Sequence, residues 1–151
     1  MTRILIVAAL LLMSNVCAAQ KKTFDKWSDH EGVNVVYISK MMLRLIPNMK
    51  VGNADIDNIA SKLDHVRILN CENAKKVKAV KADVEKELTA GGSEVIMDMK
   101  EGGENNTVRI YHRKVEKKKN EFVLVQTDGR ELTVINLKGT LSLTDIKNQN
   151  F

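Results

Sequence analysis

The sequence predicts an α+β domain in which a predominantly antiparallel sheet is packed by one long amphipathic helix and by short helices. Three observations lead to this prediction. Apolar residues recur at steps of three and four between positions 72 and 90. From position 93 onward the apolar period becomes two, and turn residues separate four such stretches. With 151 residues, 44% of them hydrophobic and 28% charged, the chain is long enough to bury one substantial core.

The N-terminal segment has the pattern of a secretory signal peptide. Arg3 precedes the uncharged run Ile4–Met13, which is too short to span a bilayer, and small residues follow it. We therefore expect cleavage after Ala19 and a mature chain, residues 20–151, that forms a single α+β domain without a transmembrane span. The alternative is a lipoprotein in which Cys17 becomes the lipidated first residue.

The first half of the mature chain alternates short strands and short helices, and the domain core begins near residue 23. Gln20–Gly32 is polar and predicts a surface lead-in that places the rings of Phe24 and Trp27 against the domain. The elements predicted next are a strand over Val33–Ser39, a helix over Lys40–Ile46 ended by Pro47, a short helix after the turn at Val51 to Asn53, and a strand over His65–Asn70. One face of the first of these helices is shared by Met41, Met42, Leu45 and Ile46.

The long helix is predicted over Glu72–Ala90. Asn73 is a suitable N-cap, and Gly91 with Gly92 ends the helical pattern. Lysines and acidic residues fill the positions between the apolar ones, so one face is apolar and the other charged. The side chains that we expect to be buried are Val77, Val80, Val84 and Leu88.

A four-stranded meander is predicted after the long helix, with the domain core ending near residue 149. In its first strand Val95, Met97 and Met99 alternate with polar residues, and we expect this face to cover the long helix. Asp128 and Gly129 favour a tight hairpin, because glycine accepts a positive φ. The other strands are predicted over Thr107–Val115, Phe122–Thr127 and Leu132–Leu137, followed by a short helix that begins at a capping box of Ser142 and Asp145.

The positive charge is concentrated in the second hairpin of this meander. The whole chain has a net charge of +5, and Arg109–Lys119 alone contains six basic residues and one acidic residue. Alternation places two arginines and a tyrosine on one strand face, where they could hold a phosphate or carboxylate. The candidate ligand-binding residues are Arg109, Tyr111, Arg113, Lys114, Lys117, Lys118 and Lys119.

These residues predict an anionic lipid, glycan or envelope protein as partner. Nucleic acid is disfavoured by export and by the scarcity of aromatic side chains among the basic ones. The alternative is that the lysines only prevent edge-to-edge pairing of sheets.

No catalytic or metal-binding pattern is present in the sequence. His30, His65 and His112 are widely spaced, and Cys71 is predicted to be a buried thiol at a strand end. We therefore expect a non-enzymatic binding module without cofactor or metal. The alternative is an enzyme whose site assembles only in three dimensions, from residues such as Ser39, His65 and Glu72.

Two sequence runs resemble a known family. The run GV-x-x-VYISK-x-M at Gly32–Met42 and the run IASKLD at Ile59–Asp64 are similar to the domain of unknown function 4252 family, small exported proteins of Bacteroidota. A weaker similarity extends through the segment LKGTLSLTDI near the C-terminus. The resemblance implies a single α+β domain and export to the envelope of a Gram-negative cell, in the periplasm or at the outer membrane. It implies no catalytic residue.

Overall fold

The structure, a computed structural model, describes residues 19–51, 54–102 and 105–149. Its strands within those ranges are β1 (Val33–Ser39), β2 (Lys50–Val51), β3 (Ala54–Asp55), β4 (Leu63–Cys71), β5 (Glu94–Glu101), β6 (Asn106–Glu116), β7 (Lys119–Thr127) and β8 (Leu132–Gly139). Six of them form one antiparallel sheet in the order β1-β4-β8-β7-β6-β5, and β2 pairs with β3 separately. The helices are α1 (Ala19–Trp27), α2 (Lys40–Leu45), α3 (Asp57–Ala60), α4 (Ala74–Ala90) and α5 (Leu143–Lys147). The predicted fold class is confirmed.

One face of the sheet, the helix side, is packed by α4 and α1. The Asn73 side chain caps α4 by accepting a hydrogen bond from the Lys75 backbone N–H, and Gly91 follows its last turn. The predicted apolar face of α4 is the buried one. It shares a hydrophobic core with apolar residues of β1, β4, β6, β7 and β8. Cys71, at the end of β4, is a buried free thiol in this core, as predicted.

The predicted surface lead-in is wrong in its secondary structure, because most of it is helix α1. Phe24 and Trp27 are three residues apart, so a helix places both rings on one face, and both are buried against α4. Trp27 Nε1 donates a hydrogen bond of 2.9 Å to Asp83 on α4. Lys26 forms an ion pair with the same carboxylate at 2.6 Å.

The other face, the second side, is covered by short elements. A second hydrophobic core there combines residues of α2, α3, α5 and the β2–β3 pair with residues of the central strands. The predicted capping box of α5 is present, with Ser142 and Asp145 each hydrogen-bonded to the other's backbone N–H. The final turn of the meander contains Gly129 at a φ of 89°, which explains the glycine there.

Helix α2 presents its apolar residues to solvent. Its only fully buried side chain is Leu43, which joins the second core. The four apolar residues predicted to share one face are exposed: Met41 (70%), Met42 (44%), Leu45 (66%) and Ile46 (41%). Leu43 is thus the one side chain of the helix that is buried against the sheet.

The prediction that Met97 and Met99 cover α4 is wrong. The pairing of β5 with β6 shifts between Val95 and Met97, so Ile96 is the extra residue of a β-bulge. After the bulge, Met97 and Met99 pair with Ile110 and Val108 and face the second side, where they are exposed.

Burial of the α4 face gives a direct test of this packing. Val84→Asp should destabilise the protein by more than about 3 kcal/mol, because it places an unpaired charge where the native side chain is 1% exposed. Lys78→Asp, on the exposed face of the same helix, should be nearly neutral. Urea unfolding of both variants measures the difference, and equal midpoints would contradict the assigned face.

Candidate functional site

A row of polar side chains crosses the helix side of the sheet beyond the C-terminal end of α4. Cross-strand pairing places Ser39 opposite His65, His65 opposite Lys138, Lys138 opposite Glu121, and Glu121 opposite Arg113. Residues that are direct partners in adjacent strands have side chains close enough to interact. Five neighbouring strands therefore contribute one side chain each to a continuous polar row.

The imidazole of His65 is the most perturbed group in this row. Burial lowers the pKa of His65 to about 4, and the positive charges of Arg67 and Lys138 act in the same direction. Its ring lies 5.7 Å from the ring of Tyr37. His65 is therefore neutral near pH 7 and contributes no positive charge.

Arg113 holds the end of α4 to the sheet. It forms an ion pair with Glu121 at 3.0 Å and donates a hydrogen bond of 3.2 Å to the Gly91 carbonyl oxygen. Both charged side chains are largely buried. The carbonyl groups at a helix C-terminus carry partial negative charge, so a guanidinium is favourable there.

Arg109 and Tyr111 are also engaged in the fold. Arg109 lies between α4 and β5, with ion pairs of 3.2 Å to both Glu85 and Asp98. The hydrogen bond to Asp98 raises the pKa of Arg109. Tyr111 is buried in the core of the helix side, and burial raises its pKa. Alternation correctly predicted that these two residues share a face with Arg113, but that face is the one that α4 covers.

The remaining candidates lie at the turn between β6 and β7. Lys119 forms an ion pair with Asp64 at 2.8 Å, and Lys40 approaches the other oxygen of Asp64 at 3.7 Å. The hydrogen bond from Lys119 holds the pKa of Asp64 below its usual range, and Asp64 raises the pKa of Lys119. Asp64 thereby ties β4, the start of α2 and the turn together.

Four lysines at this end of the sheet form no ion pair with a carboxylate among the residues that the structure describes. Lys117 and Lys118 occupy the turn, Lys114 precedes it on β6, and Lys138 lies beside it on β8. Three of them are exposed, and Lys138 is half-buried. We name these four lysines together with Lys119 the basic end.

Two cavities border the row. One, of about 490 Å³, lies between the end of α4 and β6, and its lining includes Gly91, Gly92, Arg113 and Lys114. Another, of about 320 Å³, lies beside α1 and is lined by Phe24, Asp25, Val35, Tyr37 and Arg67. The guanidinium of Arg67 lies 5.4 Å from the centre of the Tyr37 ring. Both cavities are lined by polar and apolar side chains.

An apolar cavity of about 450 Å³ lies on the second side, away from the polar row. Its lining includes Met97, Met99, Ile110 and Leu143. His112 points to the same side of the sheet and is half-buried between the ring of Phe122 and the Asn120 side chain. Sequence reasoning missed this cavity because the bulge in β5 turns Met97 and Met99 into its lining.

Of the three residues named for an enzymatic alternative, the structure brings two together. Ser39 and His65 are cross-strand partners, but the Ser39 hydroxyl oxygen caps α2 by accepting a hydrogen bond of 3.3 Å from the Met42 N–H. Glu72 follows the opposite end of β4 and accepts a hydrogen bond from Asn70.

Within the described ranges no group of three or more His, Cys, Asp or Glu side chains is placed to hold a metal ion. Cys17 lies outside the described residues, which begin at residue 19, directly before the predicted cleavage site.

Comparison with known proteins identifies the family. Residues 24–148 match the family described as "Domain of unknown function (DUF4252)". The chain belongs to this family. The DUF4252 match contains all the strands and the helices α2 to α5, together with the buried rings of α1. No curated protein and no solved structure matches the chain.

The DUF4252 description assigns no chemistry, so the match does not indicate what the candidate site does. None of the helices in the described part of the chain is both long enough and apolar enough to cross a membrane.

The low pKa of His65 predicts a specific dependence of stability on pH. An unfolded histidine takes up its proton near pH 6.5, whereas folded His65 does so near pH 4. Between these values the unfolded state binds more protons, so the free energy of unfolding should decrease as pH falls from about 6.5 to 4. Thermal melts across this range should show a steeper decrease in Tm for the wild type than for His65→Gln.

The control is His30→Gln, which changes an exposed histidine and should retain the wild-type decrease. The carboxylates are the same in the wild type and in both variants, so their contribution to the decrease cancels in the comparison. Parallel melting curves for wild type and His65→Gln would contradict the buried, neutral state of this imidazole.

Proposed function

We propose that the mature chain is an exported, non-enzymatic binding module of the Gram-negative cell envelope that contacts an anionic partner through the basic end. One observation supports this proposal above the others. The acidic residues around the β6–β7 turn, Asp64, Glu116 and Glu121, are all within ion-pair distance of basic side chains, while four lysines nearby form no ion pair with a carboxylate in the described ranges.

The fold does not require the two lysines of the turn. Lys117 and Lys118 are exposed in a turn, and neither contributes to a core. A cluster of like charges without counter-charges is unfavourable in the free protein and becomes favourable when an anion approaches. Phosphate and carboxylate groups supply the required charge, and both occur in anionic lipids and acidic glycans.

A binding role is favoured over catalysis by the use of the polar side chains. The Ser39 hydroxyl caps a helix, and Glu72 lies at the far end of the strand from His65. Arg109 and Arg113, which resembled ligand-binding residues in the sequence, form ion pairs with carboxylates of the same chain. The lysines of the turn remain as the groups available to a partner.

Export is part of this proposal and has its own test. The protein recovered from the envelope of the producing cells should have the mass of residues 20–151, because the signal pattern places cleavage after Ala19. Intact-mass spectrometry measures this directly. A chain that begins at a lipidated Cys17 would replace the cleaved form with a lipoprotein, and a chain that retains Met1 would contradict export.

Binding of anions by the basic end predicts an effect of charge reversal. Lys117→Glu/Lys118→Glu should elute from immobilised heparin at a clearly lower salt concentration than wild type, since each lysine near an anionic surface contributes about 1 kcal/mol at low salt. The matched control is Lys75→Glu/Lys78→Glu, which makes the same charge change at the start of α4, near the opposite end of the sheet.

The control distinguishes binding at a local surface from a general effect of net charge on retention. Elution of the control at the wild-type salt concentration supports the basic end as the binding surface. Equal shifts for both variants would assign retention to net charge alone. Unchanged elution of the reversed turn would leave its lysines as protection against edge pairing.

A further inference from the structure

Helix α2 combines two features that rarely occur together on a short surface helix. Met41 and Leu45, one turn apart, are the two most exposed large apolar side chains in the described ranges. The helix itself is firmly placed, because Leu43 is buried, Ser39 caps its N-terminus, and the Ile46 N–H donates to the Met42 carbonyl oxygen. Its exposed apolar face is therefore held in one position on the surface.

The charge on α2 has only one sign. Its six residues, KMMLRL, include Lys40 and Arg44 and no acidic residue. Both Lys40 and Lys119 lie within ion-pair distance of Asp64, so the start of α2 and the β6–β7 turn lie side by side. The exposed apolar face of α2 thus begins beside the basic end.

From this juxtaposition we infer that α2 enters an anionic lipid bilayer, with Met41 and Leu45 inserted among the acyl chains and the lysines of the basic end on the headgroups. The inference rests on the proposed function and names its partner. Apolar side chains flanked by cations are the composition with which peripheral proteins bind anionic membranes, because insertion and headgroup attraction act together.

A second copy of the chain fits this surface less well. Pairing α2 with α2 would bring together Lys40, Arg44 and the adjacent basic end of both copies. Like charges brought together in this way oppose association. A lipid surface instead offers acyl chains to the apolar face and negative charge to the cations around it.

The test uses the protein recovered in the form cleaved after Ala19 and co-sedimentation with vesicles of phosphatidylcholine, with or without phosphatidylglycerol. Wild type should bind the phosphatidylglycerol vesicles, and Met41→Ser/Leu45→Ser should bind them at least tenfold more weakly. Because both side chains are exposed, this variant should melt at the wild-type temperature and keep the wild-type heparin elution. Leu143→Ser, an exposed apolar residue on α5, is the matched control and should bind as wild type.

A second measurement reports insertion itself. An environment-sensitive fluorophore on Met41→Cys should shift to the blue on addition of phosphatidylglycerol vesicles, and the same label on Leu143→Cys should not. The native Cys71 is fully buried and does not compete for the label.

The outcomes distinguish this inference from the proposed function. Equal vesicle binding by wild type and Met41→Ser/Leu45→Ser, or retention on heparin without any vesicle binding, would overturn insertion and leave anion binding intact. Concentration-dependent dimers that the double serine variant abolishes would overturn it in favour of self-association. Wild-type heparin elution and vesicle binding by Lys117→Glu/Lys118→Glu would overturn the proposed function as well.

Discussion

The central strands β4, β8 and β7 must be shielded on both of their faces, and the rest of the chain is arranged around that requirement. Their alternating side chains contribute to two separate cores, one under α4 and α1 and one under the short elements. A long amphipathic helix satisfies the first face with a single element. The second face is closed by pieces of two to six residues, each of which buries only one or a few side chains. This difference explains why the second side retains an open apolar cavity.

The length of α4 also determines where charge is permitted on the helix side. The helix ends at Ala90, but β6 and β7 extend beyond it. Side chains under α4 are apolar, hydrogen-bonded to each other like Thr107 and Thr127, or, like Arg109, paired with carboxylates from both neighbours. Beyond the last turn of α4, polar residues from five strands line the helix side, and the lysines lie where no element covers them. The position of the basic end therefore follows from a mismatch in length between helix and strands.

Much of this architecture was predictable from local patterns. The α4 face, the Asn73 cap and the Ser142 capping box depend on residues close in sequence, and all three predictions are confirmed. The roles of Arg109 and Arg113 were not predictable, because their partners Asp98 and Glu121 come from adjacent strands and depend on register. Alternation gave the correct face for both arginines without revealing which element covers it. The exposed face of α2 was missed because helical periodicity identifies an apolar face without showing what it contacts.

The bulge at Ile96 gives β5 one residue more than its ladder with β6 pairs. Loss of Ile96 would leave a regular ladder in which Met97 still faces the second side opposite Ile110 and Asp98 still reaches Arg109. Regular pairing of every residue of the strand would instead turn Met97 towards α4 and Asp98 away from Arg109. We therefore expect natural variants of this strand to lack one residue at Ile96 without exchanging the faces of its neighbours.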